Sequence, residues 1–531
     1  MKPHDMGVLF DECAERGREP RVHLDRPFDI APAAGTEHSA VDLAWLVRDA
    51  AGWLSAAGAR PDDRVAILKD NHWDYDLLAC AAVRAGAVPA QLSAHLPPES
   101  LEMLLKRLEP AVLVTTSGLL DVARERGVDL TSFARTTVTL DAPVPGALDL
   151  RDLGGQESPA PQRRDEDAAL VVNHTSGTTG VPKLVVHSTR TLVRGLAQFE
   201  ARRLPRIGVR PDDAVANANA YAHGRTFCWT AVVMSMAPRD LVVLSHLDPD
   251  RADPLLREHP PTIVEALPET FVRFRPLTRR VDNPFRRTRL FISTYDAVHP
   301  PTIRSFLDAS SLRTPVWMQG WGQSETGPLT FRFHTRKSLM RGRDDRPSTR
   351  DLGRPVPFKT RLKVVDPDTF APLRRGRPGL VLTRTAAKCL DYAGEAERWN
   401  RKDVDGWWNT GDIGVRTRGG SLLLLDREVD SNPDVSCLET EDLLEDRLPE
   451  AQECVVLGRP GRDPLPVVIT PDGELPLSSW QQAASGLAPM LDPVTMTWDA
   501  VPRTATGKVR RLALLEQLTG SADTHGSGKW T

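Results

Sequence analysis

The stretch His174 to Ser188, HTSGTTGVPKLVVHS, has residue types that could do chemistry. Thr175, Ser176, Gly177, Thr178, Thr179 and Gly180 form an unbroken run of glycines and hydroxyl residues, and Pro182-Lys183 follows closely. Small residues leave backbone N–H groups and hydroxyls open to a ligand. After a strand, such a loop is a phosphate cradle. Lys183 adds a compact positive charge suited to phosphate oxygens. No Gly-Lys-Ser/Thr follows, so this is not the Walker pattern. The chemistry so far is that of a nucleotide or another polyphosphate.

The elements that must position this loop are legible as alternating helix and strand signals. The apolar run AALVVN predicts a strand leading into it. Upstream, VDLAWLVRDAAGWLSAAGA has helical spacing and ends at Gly58. RVAILKD reads as a strand, YDLLACAAVRAGAV as a helix closed by Gly86, AVLVTT as a strand and SGLLDVARERG as a helix. That alternation predicts βαβ units and a mostly parallel sheet. Residues 154–167 form a polar, proline-bearing linker. From residue 353 short runs split by Gly and Pro predict a β-rich subdomain. Past residue 430, LETEDLLEDRL and SSWQQAASGLAPML read as helices, ECVVLGR and LPVVITP as strands, which is enough for a small α+β domain. The fold class expected is therefore α/β. A large N-terminal part would cover residues 1–426, a small C-terminal part 427–515, and a disordered tail 516–531.

Bulk properties narrow the classes further. A chain of 531 residues exceeds one core. Its formal net charge of -3 gives no global argument for nucleic acid or an anionic membrane as partner. The six cysteines are scattered without CxxC spacing, which reads as reduced and structural. No window reaches the ~18 apolar residues of a membrane span, and the first residues hold no apolar core of signal-peptide length. A cytoplasmic enzyme is the expectation.

SGTTGVPKLVVHS resembles the phosphate-loop signature of the adenylate-forming superfamily of acyl-CoA synthetases, peptide-synthetase adenylation domains and luciferases. Four more motifs follow in that family's order: GWGQSETGP from Gly320, NTGDIGV from Asn409, LLLLDRE from Leu422 and VPRTATGKVRR from Val501. The resemblance covers residues from about 40 to 515. It implies two half-reactions: a carboxylate attacks the α-phosphorus of ATP, releasing pyrophosphate, and a second nucleophile, often the thiol of coenzyme A, displaces AMP. It also implies residue roles. Glu325 would hold Mg²⁺ and Ser324, in place of the usual Thr, would bond phosphate. Trp321, in place of Tyr, would stack on adenine beside Gly322. Asp412 would accept both ribose hydroxyls and Arg427 would hold the ribose from the other side. Lys508, with Lys183, would serve the reacting phosphate. A small, mobile C-terminal domain would turn about a hinge near Val429 and Asp430. Taken singly, each of these residues has an ordinary structural job; their order argues for function.

Three departures matter. Between Arg427 and Leu443 there is no lysine and no glycine, where the family has a Lys-x-x-Gly loop, and Asn432-Pro433-Asp434 makes a plain turn instead. Coenzyme A is thereby in question, and a carrier-protein thiol, an amine or another acceptor stays open. His223 matches a pocket histidine of the family loosely, and Arg225 follows it, paired either with an anionic substrate group or in a structural salt bridge. Tyr295 and Asp296 replace small residues of a Gly-Gly-Ala turn; with Gln319 and Gly320 they line a pocket suited to an aromatic or short polar acid. The leading reading is a carboxylic acid passed to a thiol. The alternative is another anion or acceptor, as in relatives that activate nitrite and pass it to an aryl amine. The Arg-rich segments RFRPLTRRVDNPFRRTR and FRFHTRKSLMRGRDDR are either solvated faces or a dock for an acidic carrier protein. No pattern sets an oligomeric state.

Overall fold

The computed structural model describes residues 4–17, 20–175, 182–341, 349–427, 436–459, 462–504 and 506–520, without the side chains of 340, 341, 426 and 427. Of the predicted loop, Ser176, Gly177, Thr178, Thr179 and Gly180 lie outside these, as do the hinge and the turn at Asn432. The described residues gather into two units. The first holds Met1–Glu265, Ser324–Gly327 and Ala386–Trp399; the second holds Ala266–Gln323, Pro328–Thr385 and Asn400–Thr531.

The first unit bears out the α/β expectation. Its main sheet has eight strands in the order Asp391–Tyr392, Leu184–Ser188, Ala169–His174, Val88–Ser93, Arg64–Lys69, Val112–Thr115, Thr136–Thr139 and Leu148–Asp149. From Ala169–His174 onward the pairs are parallel; the first two strands join antiparallel. Strand runs such as Val65–Leu68 are buried throughout, because helices cover both faces of a parallel sheet. Leu68, Leu92, Leu104, Leu113, Val172 and Leu184 meet in one core cluster. The predicted helices appear at Ala40–Ala56, Asp74–Arg84 and Ser117–Glu125. The first is started by a capping box in which Ser39 Oγ accepts from the Asp42 N–H and Asp42 accepts from the Ser39 N–H. Gly86 ends the second in the left-handed region, φ 81°. The sequence reading missed a π-helix at Thr189–Ala197, directly after Leu184–Ser188.

The second unit contains the expected β-rich part, an antiparallel sheet of Thr360–Val365, Pro378–Thr385, Trp407–Arg416, Asp403–Val404 and Leu422–Arg427. Its C-terminal tract is α+β. Strands Glu453–Leu457, Leu465–Ile469 and Val494–Met496 have helix Cys437–Arg447 packed on one face and Arg511–Thr519 on the other. Elsewhere in this unit Leu290–Ser293 and Val316–Gln323 run parallel, with Phe291 opposite Trp317. Phe271, Phe285, Phe291, Phe306 and Trp317 pack edge to face and stacked, with Phe271 and Trp317 centroids 4.4 Å apart. This cluster fixes the strand that carries Gln319 to Trp321. All six cysteines are buried, and none is in a disulfide. Among the described residues no helix is long and apolar enough to cross a membrane.

Phe306→Ala removes the ring that touches four of these neighbours. It should destabilise the second unit by about 3–5 kcal/mol, read as a lower denaturant midpoint in tryptophan fluorescence.

Candidate active site

The phosphate loop hangs from a hairpin. His174 and Leu184 are partners in antiparallel strands. One residue further out, the Thr175 N–H donates to the Lys183 carbonyl at 3.0 Å, and the Lys183 N–H donates to Thr175 Oγ1 at 3.0 Å. Thr175 and Lys183 are thus locked together at the base of the run between them. His174 braces the same point. Its Nδ1 faces the Thr175 carbonyl at 2.8 Å, so it carries the proton, and Nε2 accepts from the Ser93 N–H at 3.1 Å. Burial holds this imidazole below its usual pKa and therefore neutral.

Strand pairing also brings the carboxylate. Tyr392 is the register partner of Val185, which sets its ring under Lys183, with Nζ 5.4 Å from the ring centroid. Its hydroxyl donates to Glu325 Oε1 at 2.6 Å. Burial and then the Glu325 charge push the phenol pKa upward, so Tyr392 remains a donor. Glu325 is itself buried, and among the described residues its other oxygen has no partner. One free, hard carboxylate oxygen fits Mg²⁺, which keeps waters and substrate phosphate oxygens for its other positions. The turn holding Glu325 is fixed by His187, which donates from Nε2 to the Ser324 carbonyl at 2.7 Å, and by the Cys389 N–H, which donates to the Glu325 carbonyl at 2.7 Å. Ser324 Oγ lies 3.3 Å from His223 Nε2, while His223 Nδ1 accepts from the Arg225 N–H and caps helix Gly224–Met236.

Arg225 is paired inside the protein. It is bidentate to Glu265 at 2.7 and 3.0 Å and reaches Glu200 at 2.6 Å. Burial opposes its charge, but the two carboxylates more than compensate and keep it protonated. Of the two partners the sequence left open, the structure supplies the internal one.

In the second unit Asp412 sits buried on Trp407–Arg416, with Arg427 as its register partner on the next strand. Gln323 Nε2 donates to the Thr410 carbonyl at 2.6 Å and approaches Asp412 Oδ2 at 3.3 Å; Trp408 Nε1 donates to Gln323 Oε1. Trp321 is half-buried against Leu352, Leu362, Val364, Val381 and Leu422. Gly320 has no room for a side chain, since a Cβ would stand 3.0 Å from Thr294 and 3.1 Å from Phe331. Gly322, on the same strand, is exposed. Gln319 is 3% exposed, and among the described residues its amide oxygen has no partner. Tyr295 has φ 79°, a left-handed conformation strained for an aromatic residue. Asp296 is exposed and accepts from the Ala297 N–H. Lys508 closes a tight turn: the Thr504 N–H donates to its carbonyl at 2.8 Å, and Gly507 takes φ 76°. Arg511, bidentate to buried Glu441 at 2.7 and 3.0 Å, anchors that turn to helix Cys437–Arg447.

Sequence reasoning missed Tyr392, His187 and a buried polar chain that ends at Asn173 on strand Ala169–His174. In that chain Thr230 Oγ1 donates to Asp76 Oδ2 (2.7 Å), Gln91 Nε2 to Asp76 Oδ1 (2.7 Å) and Asn173 Nδ2 to Gln91 Oε1 (2.9 Å). Only their polarity inside apolar runs could have signalled them.

The chain matches the family described as AMP-binding enzyme over residues 13–392. It is 35% identical over 97% of its length, and 96% of the other, to 3-amino-2-hydroxy-4-methoxybenzoate diazotase of Streptomyces cremeus. To 3-aminoavenalumate diazotase of a Streptomyces species it is 28% identical, over 78% of this chain and 73% of the other. ATP-bound MatB of Rhodopseudomonas palustris shares the fold, with a TM-score of 0.75 at 23% identity, covering 96% and 98% of the two chains.

Burial lifts the Asp76 carboxyl to about 7, against hydrogen bonds from Thr230 and Gln91 that lower it. The folded chain then keeps a proton that the unfolded chain releases near pH 4. Stability should therefore fall as pH rises from about 4 to 7, by on the order of 4 kcal/mol, and level off above. Asp76→Asn should remove this component of the slope in denaturant titrations across that range.

Proposed function

We propose, from the premise that this chain belongs to the AMP-binding enzyme family, that it is an ATP-dependent diazotase: it activates nitrite and passes it to an arylamine of the aminobenzoate class. As a member of that family it is an adenylate-forming, AMP-releasing ligase. The observation that carries the finer reading is the 35% identity to an aminobenzoate diazotase along 97% of the chain. The missing lysine and glycine after Arg427 support it, because a small amine needs no coenzyme A channel.

In this reaction a nitrite oxygen attacks the α-phosphorus of ATP and pyrophosphate leaves. The nitrite nitrogen now bears AMP through an oxygen. The amine nitrogen attacks it, the N–N bond forms, the N–O bond to AMP breaks, and the amine gives up a proton. Protonation and loss of water from the N-nitroso product yield the diazonium group. Nitrite, phosphate and pyrophosphate are all anionic, so Lys183 and Lys508 serve by offsetting repulsion as charge moves. Glu325, oriented by Tyr392, would hold Mg²⁺, which when bound neutralises phosphate charge. Asp412 takes the ribose hydroxyls and Trp321 the adenine face. Residues 1–426 and 427–515 serve as the large and the small moving domain.

The test is AMP and pyrophosphate release from ATP and Mg²⁺ in three arms: nitrite with an aminohydroxybenzoate, the acid with coenzyme A, and the acid alone. Release confined to the nitrite arm is expected, and Lys508→Ala should lower it by about 10²-fold or more. Release that rises with coenzyme A and ignores nitrite would identify an acid–thiol ligase instead.

Gln319 offers a buried acceptor that suits an amine N–H. Gln319→Ala should raise the KM for the arylamine about 10-fold or more and leave nitrite-dependent exchange of pyrophosphate into ATP nearly unchanged.

A further inference from the structure

The first unit holds a histidine pair that none of this chemistry uses. His23 lies on strand Arg21–Leu24, between Asp240–Val243 on one side and Glu37–His38 on the other, and Glu37 is its direct register partner. Both ring nitrogens face carboxylates: Nδ1 stands 2.7 Å from Glu37 Oε1, and Nε2 stands 3.2 Å from Asp240 Oδ1. His259, the residue after helix Pro249–Glu258, stacks on the His23 ring with centroids 3.6 Å apart and planes 15° from parallel. Its Nε2 is 4.0 Å from the same Glu37 Oε1. One donor atom from each of His23, Glu37 and His259 lies within 4.8 Å of the others.

We propose that His23, His259 and Glu37 bind one zinc-class divalent transition-metal ion. Two imidazole nitrogens and one carboxylate oxygen suit zinc, cobalt or nickel, whereas Mg²⁺ prefers oxygen alone. Asp240 is the outer partner that such a site needs. It accepts from His23 Nε2, which leaves Nδ1 aimed at the metal position as the ligating nitrogen. Asp240 is itself buried and held by Arg21 at 3.0 Å and Arg239 at 2.6 Å, so the His23 ring is fixed from behind.

The adjustment required is confined to the side chains of Glu37 and His259. Ligands about 2.0–2.2 Å from a tetrahedral ion stand roughly 3.3 Å from one another. Glu37 must therefore draw back from Nδ1 by about half an ångström and close on His259 by somewhat more. The Glu37 side chain is 63% exposed and free to move. His259 swings out of the stack so that its nitrogen lone pair meets the ion. Metal binding displaces the proton shared between His23 Nδ1 and Glu37, and water takes the fourth position. The residues come from strands Arg21–Leu24, Glu37–His38 and Asp240–Val243 and from the end of helix Pro249–Glu258, and none belongs to the phosphate-loop hairpin.

The experiment uses the full-length, untagged, metal-stripped chain with excess Mg²⁺ present. Cobalt(II) is titrated in and its visible absorption followed, then zinc is added in competition. Wild type should take up one equivalent with the intense bands of a low-coordinate nitrogen–oxygen site, and zinc should remove them. Glu37→Gln and His259→Gln, both at exposed or partly exposed positions, should each weaken binding at least tenfold. Asp240→Asn should weaken it about 10- to 100-fold through the ring it orients. Zinc should raise the Tm of wild type and not that of the Glu37→Gln/His259→Gln double variant. Equal cobalt affinity in wild type and double variant, or uptake without those bands, would overturn the proposal.

Discussion

Much of the candidate chemistry depends on one short piece of strand pairing. Asp391 and Tyr392 add antiparallel to Leu184–Ser188, which itself adds antiparallel to an otherwise parallel sheet. The direction change has a purpose. A parallel crossover would carry the chain away from the loop, whereas the hairpin returns it and clamps Thr175 to Lys183 across the base. The second antiparallel strand then places a tyrosine whose ring lies below that lysine and whose hydroxyl holds Glu325. The ring thus stands between the ammonium and the carboxylate.

The imidazoles around this hairpin follow the same economy. His174 and His187 are held neutral by burial, each with its proton assigned by the carbonyl it faces. A neutral ring with one donor and one acceptor can brace two segments at once without adding charge to the hairpin. Buried charges elsewhere are matched instead, as in the cluster of Arg225 with Glu200 and Glu265.

The main elements were legible because their signals are local. Apolar runs bounded by Gly58 and Gly86 mark strands and helices wherever they occur, and the five ordered motifs point to Lys183, Glu325, Asp412 and Lys508 without any knowledge of contacts. What stayed hidden is non-local. Tyr392 lies far along the chain from Lys183 and inside no motif, so only strand register reveals it. Asp76, Gln91 and Asn173 come from three separate elements and form a chain only once the sheet has ordered them. Arg225 looked open to a substrate because its partners, Glu200 and Glu265, are distant in sequence. The π-helix at Thr189–Ala197 was unreadable for another reason: its hydrogen-bond pattern departs from 3.6-residue periodicity.

Under the diazotase reading, two features of the second unit bear on how the amine is recognised. Where relatives place glycine, Tyr295 is held at positive φ, a conformation that persists only when its surroundings determine it. Gln319 keeps a buried amide oxygen without a partner, which is unfavourable unless a ligand donor completes it. A carboxylate oxygen carries no hydrogen for Gln319 and would leave its acceptor unmatched. The amino group of an aminobenzoate supplies N–H donors, so under the diazotase reading the acceptor of Gln319 becomes part of recognition.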